Sequence, residues 1–88
     1  MNEQEFKLTG KAIRIARLIK GVKVKEFADN VGLSLDYTSK IEREEAGLTI
    51  RNHFRILREL RELGYTDQQL AAIMILTENI DEMEEQGE

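Results

Sequence analysis

The sequence predicts an all-α fold, a compact domain of five short helices. Three observations support this prediction. Apolar residues recur at three- and four-residue spacing in five successive stretches, and a glycine separates each stretch from the next. The chain contains no proline, so nothing forbids helices within these stretches. Its 88 residues, 41% hydrophobic and 34% charged, provide for one core only.

The first helix is predicted over about residues 9–20, with Gly21 after it. Its apolar spacing decides which side chains point inward. The residues expected to face the core are Ile13, Ala16 and either Ile19 or Lys20.

The next two helical patterns meet at Gly32, a residue that accepts the left-handed conformation of a helix end. The second helix is expected to start near Val24, without a good capping residue, and the third covers about residues 35–44. Ser34 is predicted to cap the third helix. The inward side chains are expected to be Phe27, Ala28, Val31, Tyr37, Thr38 and Ile41. Together these features predict a helix-turn-helix, whose second helix fits a DNA major groove.

The fourth helix is predicted to begin after Thr49 and to end at Gly64. Its expected core face consists of Ile50, Phe54, Leu57 and Leu60, flanked by Ile56 and Leu63. Thr66 and Gln69 form a capping box that opens the fifth helix. We expect residues 1–64 to form a four-helix body and residues 65–88 to add the fifth helix and an acidic tail within the same domain.

The fifth helix is apolar on nearly every side over residues 70–76. One face, with Leu70, Ile73 and Met74, is expected to pack on the body. The apolar residues left over predict a homodimer or partner interface, and they are Ile75, Leu76, Ile80 and Met83. The alternative is a helix that is simply well buried in a small fold.

Charge is distributed unevenly along the chain. Residues 1–61 carry all 13 Lys and Arg with nine acidic residues, whereas residues 62–88 carry eight acidic residues and no basic one. A basic body with an acidic tail suggests a nucleic-acid partner for the body. Alternatively, the tail provides only solubility.

Several classes of function find no support in the composition. Without cysteine, and with His53 as the one histidine, the chain cannot form a disulfide and is not expected to hold a metal. No cofactor motif and no catalytic constellation occurs, so we do not expect an enzyme. No apolar run approaches the roughly 20 residues that span a bilayer, and the N-terminus lacks the apolar segment of a signal peptide. A cytoplasmic protein is therefore expected.

The stretch from Gly10 to Leu60 resembles the phage-repressor-like, Xre-type helix-turn-helix family. The matching residues are Gly10, Ile13-Arg14 and Ala16-Arg17, then Phe27-Ala28, Val31-Gly32 and Ser34, then Ile41-Glu42-Arg43, and finally Thr49-Ile50, Ile56 and Leu60. The resemblance implies a compact, lambda-repressor-like five-helix domain, usually dimeric and usually a transcriptional regulator. It also implies a partly buried ion pair between Arg17 and Glu42. The chain departs from the family at Val24, where Gln is frequent, and at Glu44, where Gly is usual.

Candidate DNA contacts follow from the expected helix positions. The outward face of the third helix would read base edges through Leu35, Asp36, Ser39 and Lys40. Residues near helix starts and on the adjoining surface are candidates for phosphate contacts, namely Lys23, Lys25, Ser34, Tyr37, Arg43, Arg51 and Asn52.

The sequence thus predicts a sequence-specific transcriptional regulator, a repressor or an activator, that binds double-stranded DNA as a homodimer. The alternative is a protein-interaction module on the same fold that has lost DNA binding and binds another regulatory protein. Asp36, Glu44 and Glu45 favour this alternative because carboxylates repel phosphates. A third hypothesis is mimicry of a nucleic acid by the acidic segment.

Overall fold

The computed structural model describes the backbone of residues 7–86 and the side chains of residues 7–78. This part of the chain forms five α-helices and no strand, so the predicted all-α, five-helix fold is confirmed. The helices are α1 (Gly10–Ile19), α2 (Val24–Val31), α3 (Leu35–Glu42), α4 (Ile50–Glu62) and α5 (Asp67–Gln86).

The helices form a series of pairwise contacts in which α5 packs on α1, α1 on α3, α3 on α2, and α2 on α4. One hydrophobic cluster joins them. Its largest fully buried apolar side chains come from all helices but α3, and they are Ile13, Phe27, Ile56, Leu60 and Leu70. The buried Thr38 and Ile41 extend this core to α3.

Hydroxyl groups cap three helix starts, and the caps at Ser34 and Thr49 are those that the sequence predicts. Each accepts a hydrogen bond from the backbone N–H three residues later, at 3.1–3.2 Å, and the capping residues are Thr9, Ser34 and Thr49. At α5, Thr66 and Gln69 exchange side-chain to backbone bonds as a capping box. At α2, Lys23 makes no capping bond, as its chemistry predicts. Local sequence therefore determines where most helices begin.

The turn between α2 and α3 has the predicted geometry. Gly32 lies in the left-handed region at φ 87°, and the N–H groups of Gly32 and Leu33 both donate to the Ala28 carbonyl. The Thr38 hydroxyl donates to the Ser34 carbonyl at 2.8 Å, from the first turns of α3. Three residues thus join two helices that pack on each other, which is a helix-turn-helix arrangement.

The start of α1 lies unusually close to the end of α3. A Cβ atom added at Gly10 would come within 2.0 Å of the Ile41 carbonyl oxygen. Only glycine leaves room for this backbone approach. Gly10 therefore sets the distance between the N-terminus of α1 and the C-terminus of α3.

The predicted core face of α4 is wrong at its N-terminal end. Ile50 and Phe54 are 77% and 62% exposed, whereas Ile56, Leu57 and Leu60 are buried. Apolar residues of α4 form two overlapping stripes, and Ile50 and Phe54 lie about a third of a turn from the Ile56–Leu60 stripe. Contacts with the other helices, which the sequence of α4 does not encode locally, bury the stripe that contains Ile56 and Leu60.

The expectation for the end of α1 is also wrong. Ile19 is 63% exposed, and Lys20 is exposed as well. The aromatic ring of Tyr65 packs here instead, and its hydroxyl donates to the Ala16 carbonyl at 2.7 Å. The Lys20 ammonium lies 5.1 Å from the centre of that ring, in a cation–π arrangement. A residue that precedes α5 thus covers the last turn of α1.

His53 has a structural role that the sequence does not indicate. Its Nε2 accepts a hydrogen bond from the backbone N–H of Leu8 at 3.1 Å, and the Leu8 side chain is buried in the core. This bond requires the neutral imidazole, because a protonated ring has no acceptor. Burial lowers the pKa of His53, and the charge of Lys7 lowers it further. The contact anchors the segment before α1 to α4.

We predict that this anchor makes stability depend on pH. Because the pKa of His53 is lowered in the folded state, its neutral ring contributes stability at pH values above the ordinary pKa near 6.5. This stability is lost as the pH falls through the folded-state pKa. The thermal unfolding midpoint, followed by circular dichroism, should therefore decrease when the pH is lowered from 7.5 to 5. His53→Gln keeps an acceptor and cannot titrate, so this variant should show a flatter profile. Equal profiles for the two proteins would contradict the assignment, since the chain has a single histidine.

Candidate nucleic-acid interface

The outward face of α3 is the first part of the candidate site. Thr38 and Ile41 are buried and fix the inner face of the helix. On the outer face, Leu35 is 45% exposed, and the side chains of Asp36 and Lys40 are exposed as well. Three of the four predicted base-reading residues therefore share one exposed face of a helix whose orientation the core determines.

Ser39, the fourth predicted base-reading residue, lies one helical turn after Leu35 on the same side of α3. It is half-buried and lines a cleft between α1 and α3, together with Arg14 of α1 and Arg43. Ser39 therefore borders both the exposed face of α3 and the cleft beside α1.

Oppositely charged neighbours hold two of the predicted DNA-contacting lysines. The Lys40 ammonium lies 3.3 Å from the Asp36 carboxylate, one helical turn earlier. On α2, Lys25 and Asp29 lie 3.3 Å apart in the same i,i+4 relation. Exposed pairs of this kind contribute about 0–1 kcal/mol. The lysines are therefore oriented by their partners but are not strongly restrained.

Tyr37 and Asn52, predicted as phosphate contacts, are engaged within the protein. The Tyr37 hydroxyl donates to the Gly47 carbonyl at 3.1 Å and accepts from the Asn52 amide at 3.3 Å. These bonds hold the loop after α3 and the first turn of α4 against each other. Ser34 likewise uses its side-chain oxygen to accept from the Tyr37 N–H. All three side chains position the candidate surface from within.

Lys23 and Arg51 remain available at two helix starts. Both side chains are exposed, and neither makes a hydrogen bond or an ion pair with the part of the chain that the structure describes. Lys23 precedes α2, and Arg51 is the second residue of α4. A helix N-terminus attracts anions through its unpaired N–H groups. These two cations are the best placed of the predicted phosphate contacts.

Two acidic residues that follow α3 also have internal partners. Glu45 bonds to Arg43 at 3.1 Å, which lowers the pKa of Glu45 and raises the pKa of Arg43. The Glu44 carboxylate accepts from the Lys11 backbone N–H at 3.2 Å, in the first turn of α1, where no acidic residue occurs in the helix itself. Glu44 adopts φ 62°, the conformation for which the family resemblance implies glycine. No local sequence signal indicates this cap, since its partner is 33 residues away.

The predicted pair of Arg17 and Glu42 links α1 to the last residue of α3. The guanidinium donates from Nε and from one terminal nitrogen to the two carboxylate oxygens, at 2.8 and 2.9 Å. Its other terminal nitrogen donates to the Val22 carbonyl at 2.7 Å. Both side chains are at least nine-tenths buried. A single arginine thus joins α1, the turn before α2, and the end of α3.

We predict that replacing either partner of this pair by itself strongly destabilises the fold. Arg17→Met or Glu42→Leu should lower the free energy of unfolding by about 3–5 kcal/mol, because each leaves one buried charge without its partner. The double variant should lose less free energy of unfolding than either single variant, because no buried charge is left unpaired. The Val22 carbonyl still loses its donor in the double variant. Urea unfolding of the four proteins gives the coupling energy. Additive losses would show that the two side chains do not act as a pair.

The α5 face opposite the core is the last part of the candidate surface. Leu70, Ile73 and Thr77 are buried against the body, while Ile75 and Leu76 are 60% and 59% exposed. The predicted interface also includes Ile80 and Met83, which lie outside the described side chains. Two of its four residues are therefore exposed, apolar and adjacent.

The sequence matches no protein-family model, and no curated protein is significantly similar to it. The resemblance to the Xre-type family therefore rests on the quoted residues alone. Within the described part of the chain, no helix has the length and apolar character needed to cross a bilayer. What the structure defines is a five-helix domain with a helix-turn-helix arrangement and a polar, exposed α3 face.

Proposed function

We propose that this protein is a sequence-specific DNA-binding transcriptional regulator that acts as a homodimer. The observation that carries the proposal is the exposed face of α3, where Leu35, Asp36 and Lys40 lie together on a helix fixed by the core. A helix presented in this way by a preceding helix and a short turn fits the major groove.

The chemistry of this face suits base edges. Lys40 can donate to O6 and N7 of guanine, and Asp36 can accept from N4 of cytosine. Leu35 offers an apolar contact for the methyl group of thymine. The 3.3 Å pair of Lys40 and Asp36 places a donor and an acceptor side by side, which favours G·C pairs at adjacent positions.

Phosphate contacts come from cations around this face. Lys23 and Lys25 at the start of α2, and Arg51 at the start of α4, are exposed. Contacts to phosphates position the protein without reading sequence. The proposal is tested by fluorescence anisotropy with duplexes from around the protein's own gene, at several salt concentrations. A steep salt dependence supports it, and absence of binding at low salt overturns it.

We predict different effects for the two kinds of contact. Lys40→Ala should weaken binding to the preferred duplex by about 1–3 kcal/mol and relax the preference at one base pair. Arg51→Ala should weaken binding to every duplex alike and reduce the salt slope by about one. The measurement is anisotropy with preferred and scrambled duplexes. If both variants changed the ratio of the two affinities equally, the assigned roles would be wrong.

The homodimer is supported by the exposed apolar pair on α5. Covering a large apolar side chain completely contributes about 1.5–3 kcal/mol, and a second copy offers the same pair in return. A two-fold axis would place two α3 helices on successive half-sites, about 34 Å apart.

Replacing Ile75 and Leu76 together by glutamate should give a folded monomer that binds duplex DNA poorly. Sedimentation velocity measures the change. Ile50→Glu with Phe54→Glu is a matched control, because this α4 pair is apolar and even more exposed. The control should remain dimeric. A monomeric unmodified protein at high concentration would overturn the homodimer, and with it the paired half-sites.

A second candidate function is binding to another regulatory protein. The observation that favours it is the Ile50 and Phe54 pair, a second exposed apolar surface that the α5 dimer does not use. The DNA titration separates the two functions, since an interaction module without DNA affinity would bind no duplex at low salt.

A further inference from the structure

A cleft of about 580 Å³ lies between α1 and α3, beside the exposed face of α3. The buried pair of Arg17 and Glu42 lines it, together with Arg14 of α1 and the residues Ser39 and Arg43 at the end of α3. The lining residues of α1 are not among the phosphate contacts that the sequence predicts by residue. The cleft therefore extends the candidate surface to a second helix.

The charge of this cleft is positive. Its lining contains four cationic side chains and two carboxylates. One carboxylate, Glu42, is neutralised by Arg17 at 2.8 Å, and the other, Glu44, accepts from the backbone at the start of α1. Arg14 is exposed and makes no ion pair within the described residues. Arg43 is paired with Glu45, whereas Arg14 contributes an exposed positive charge to the cleft.

The donors in this cleft suit one kind of ligand. Arginine presents a planar fork that matches two oxygens of a phosphate, and a serine hydroxyl adds a single donor. Arg14 and Arg43 border the cleft with Ser39. Arg43 holds Glu45 at 3.1 Å in the free protein, and both side chains are about half exposed, so a phosphate can replace this carboxylate at little cost.

We infer that the cleft between α1 and α3 is a binding site for a backbone phosphate of the bound DNA, with Arg14 as its principal contact. The inference rests on the proposed function, because the phosphate belongs to the strand next to the groove that α3 occupies. It assigns Ser39 to the backbone rather than to a base edge. It also identifies Arg14 as the residue through which α1 holds the duplex.

The test compares single-charge variants by anisotropy over a salt series. Arg14→Ala should weaken binding to preferred and scrambled duplexes by a similar factor, about tenfold at low salt, and reduce the salt slope by about one per bound copy. Arg14→Lys keeps the charge and should restore most of the slope. Arg58→Ala is the matched control, because Arg58 is an exposed arginine of α4 that does not line the cleft. Thermal unfolding by circular dichroism verifies that all variants are folded.

The outcomes separate the cleft from the proposed function. Equal affinities and salt slopes for Arg14→Ala and Arg58→Ala overturn the cleft assignment and leave DNA binding intact. Absence of duplex binding by the unmodified protein overturns both.

A second arm distinguishes the source of the phosphate. Inorganic phosphate is titrated into the free protein, and the Arg14 Nε–H and Ser39 amide signals are followed by NMR. Shifts at millimolar phosphate, combined with unchanged DNA binding by Arg14→Ala, would identify free phosphate as the ligand and overturn the DNA assignment. A loss of DNA affinity in Arg14→Ala, with weak or no response to free phosphate, supports it.

Discussion

The buried pair of Arg17 and Glu42 is the interaction on which the candidate surface depends. Arg17 satisfies three acceptors at once, the two carboxylate oxygens of Glu42 and the Val22 carbonyl, so α1, the turn before α2, and α3 share one guanidinium. Desolvation offsets much of the attraction in such a pair, and its energetic benefit over apolar packing is small. Its effect is directional, because the fork of an arginine accepts a carboxylate in few orientations. The pair therefore fixes the end of α3 more than it stabilises the fold.

The sequence predicts local features of this fold well. Capping by Ser34 and Thr49 and the left-handed Gly32 depend on neighbours within a few residues, and each is present as expected. The rotation of α4 was wrong because two apolar stripes overlap in its sequence, and only contacts with other helices decide between them. Position along the chain is thus easier to predict than orientation about a helix axis.

In the candidate site, too, features set by local spacing could be predicted from the sequence, whereas contacts between distant residues could not. The outward positions of Leu35, Asp36 and Lys40 follow from helical spacing around Thr38 and Ile41. Contacts between residues far apart in the sequence are not indicated by any local pattern. His53 bonds to Leu8 across 45 residues, Glu44 bonds to Lys11 across 33, and Arg14 meets Ser39 at the cleft. These partners become visible only when the helices are packed.

The acidic residues near α3 bear differently on DNA binding once their partners are known. In the sequence, Asp36, Glu44 and Glu45 are charges that repel phosphates. In the structure, Asp36 pairs with Lys40, Glu45 with Arg43, and Glu44 caps α1. Exposed pairs are weak, so a phosphate or a base can take over either cation at small cost. The carboxylates then act as competitors for the same cations. In the proposed complex with DNA, such competition would lower affinity for any duplex, while a duplex that also satisfies Asp36 would lose less, which would favour discrimination over tight general binding.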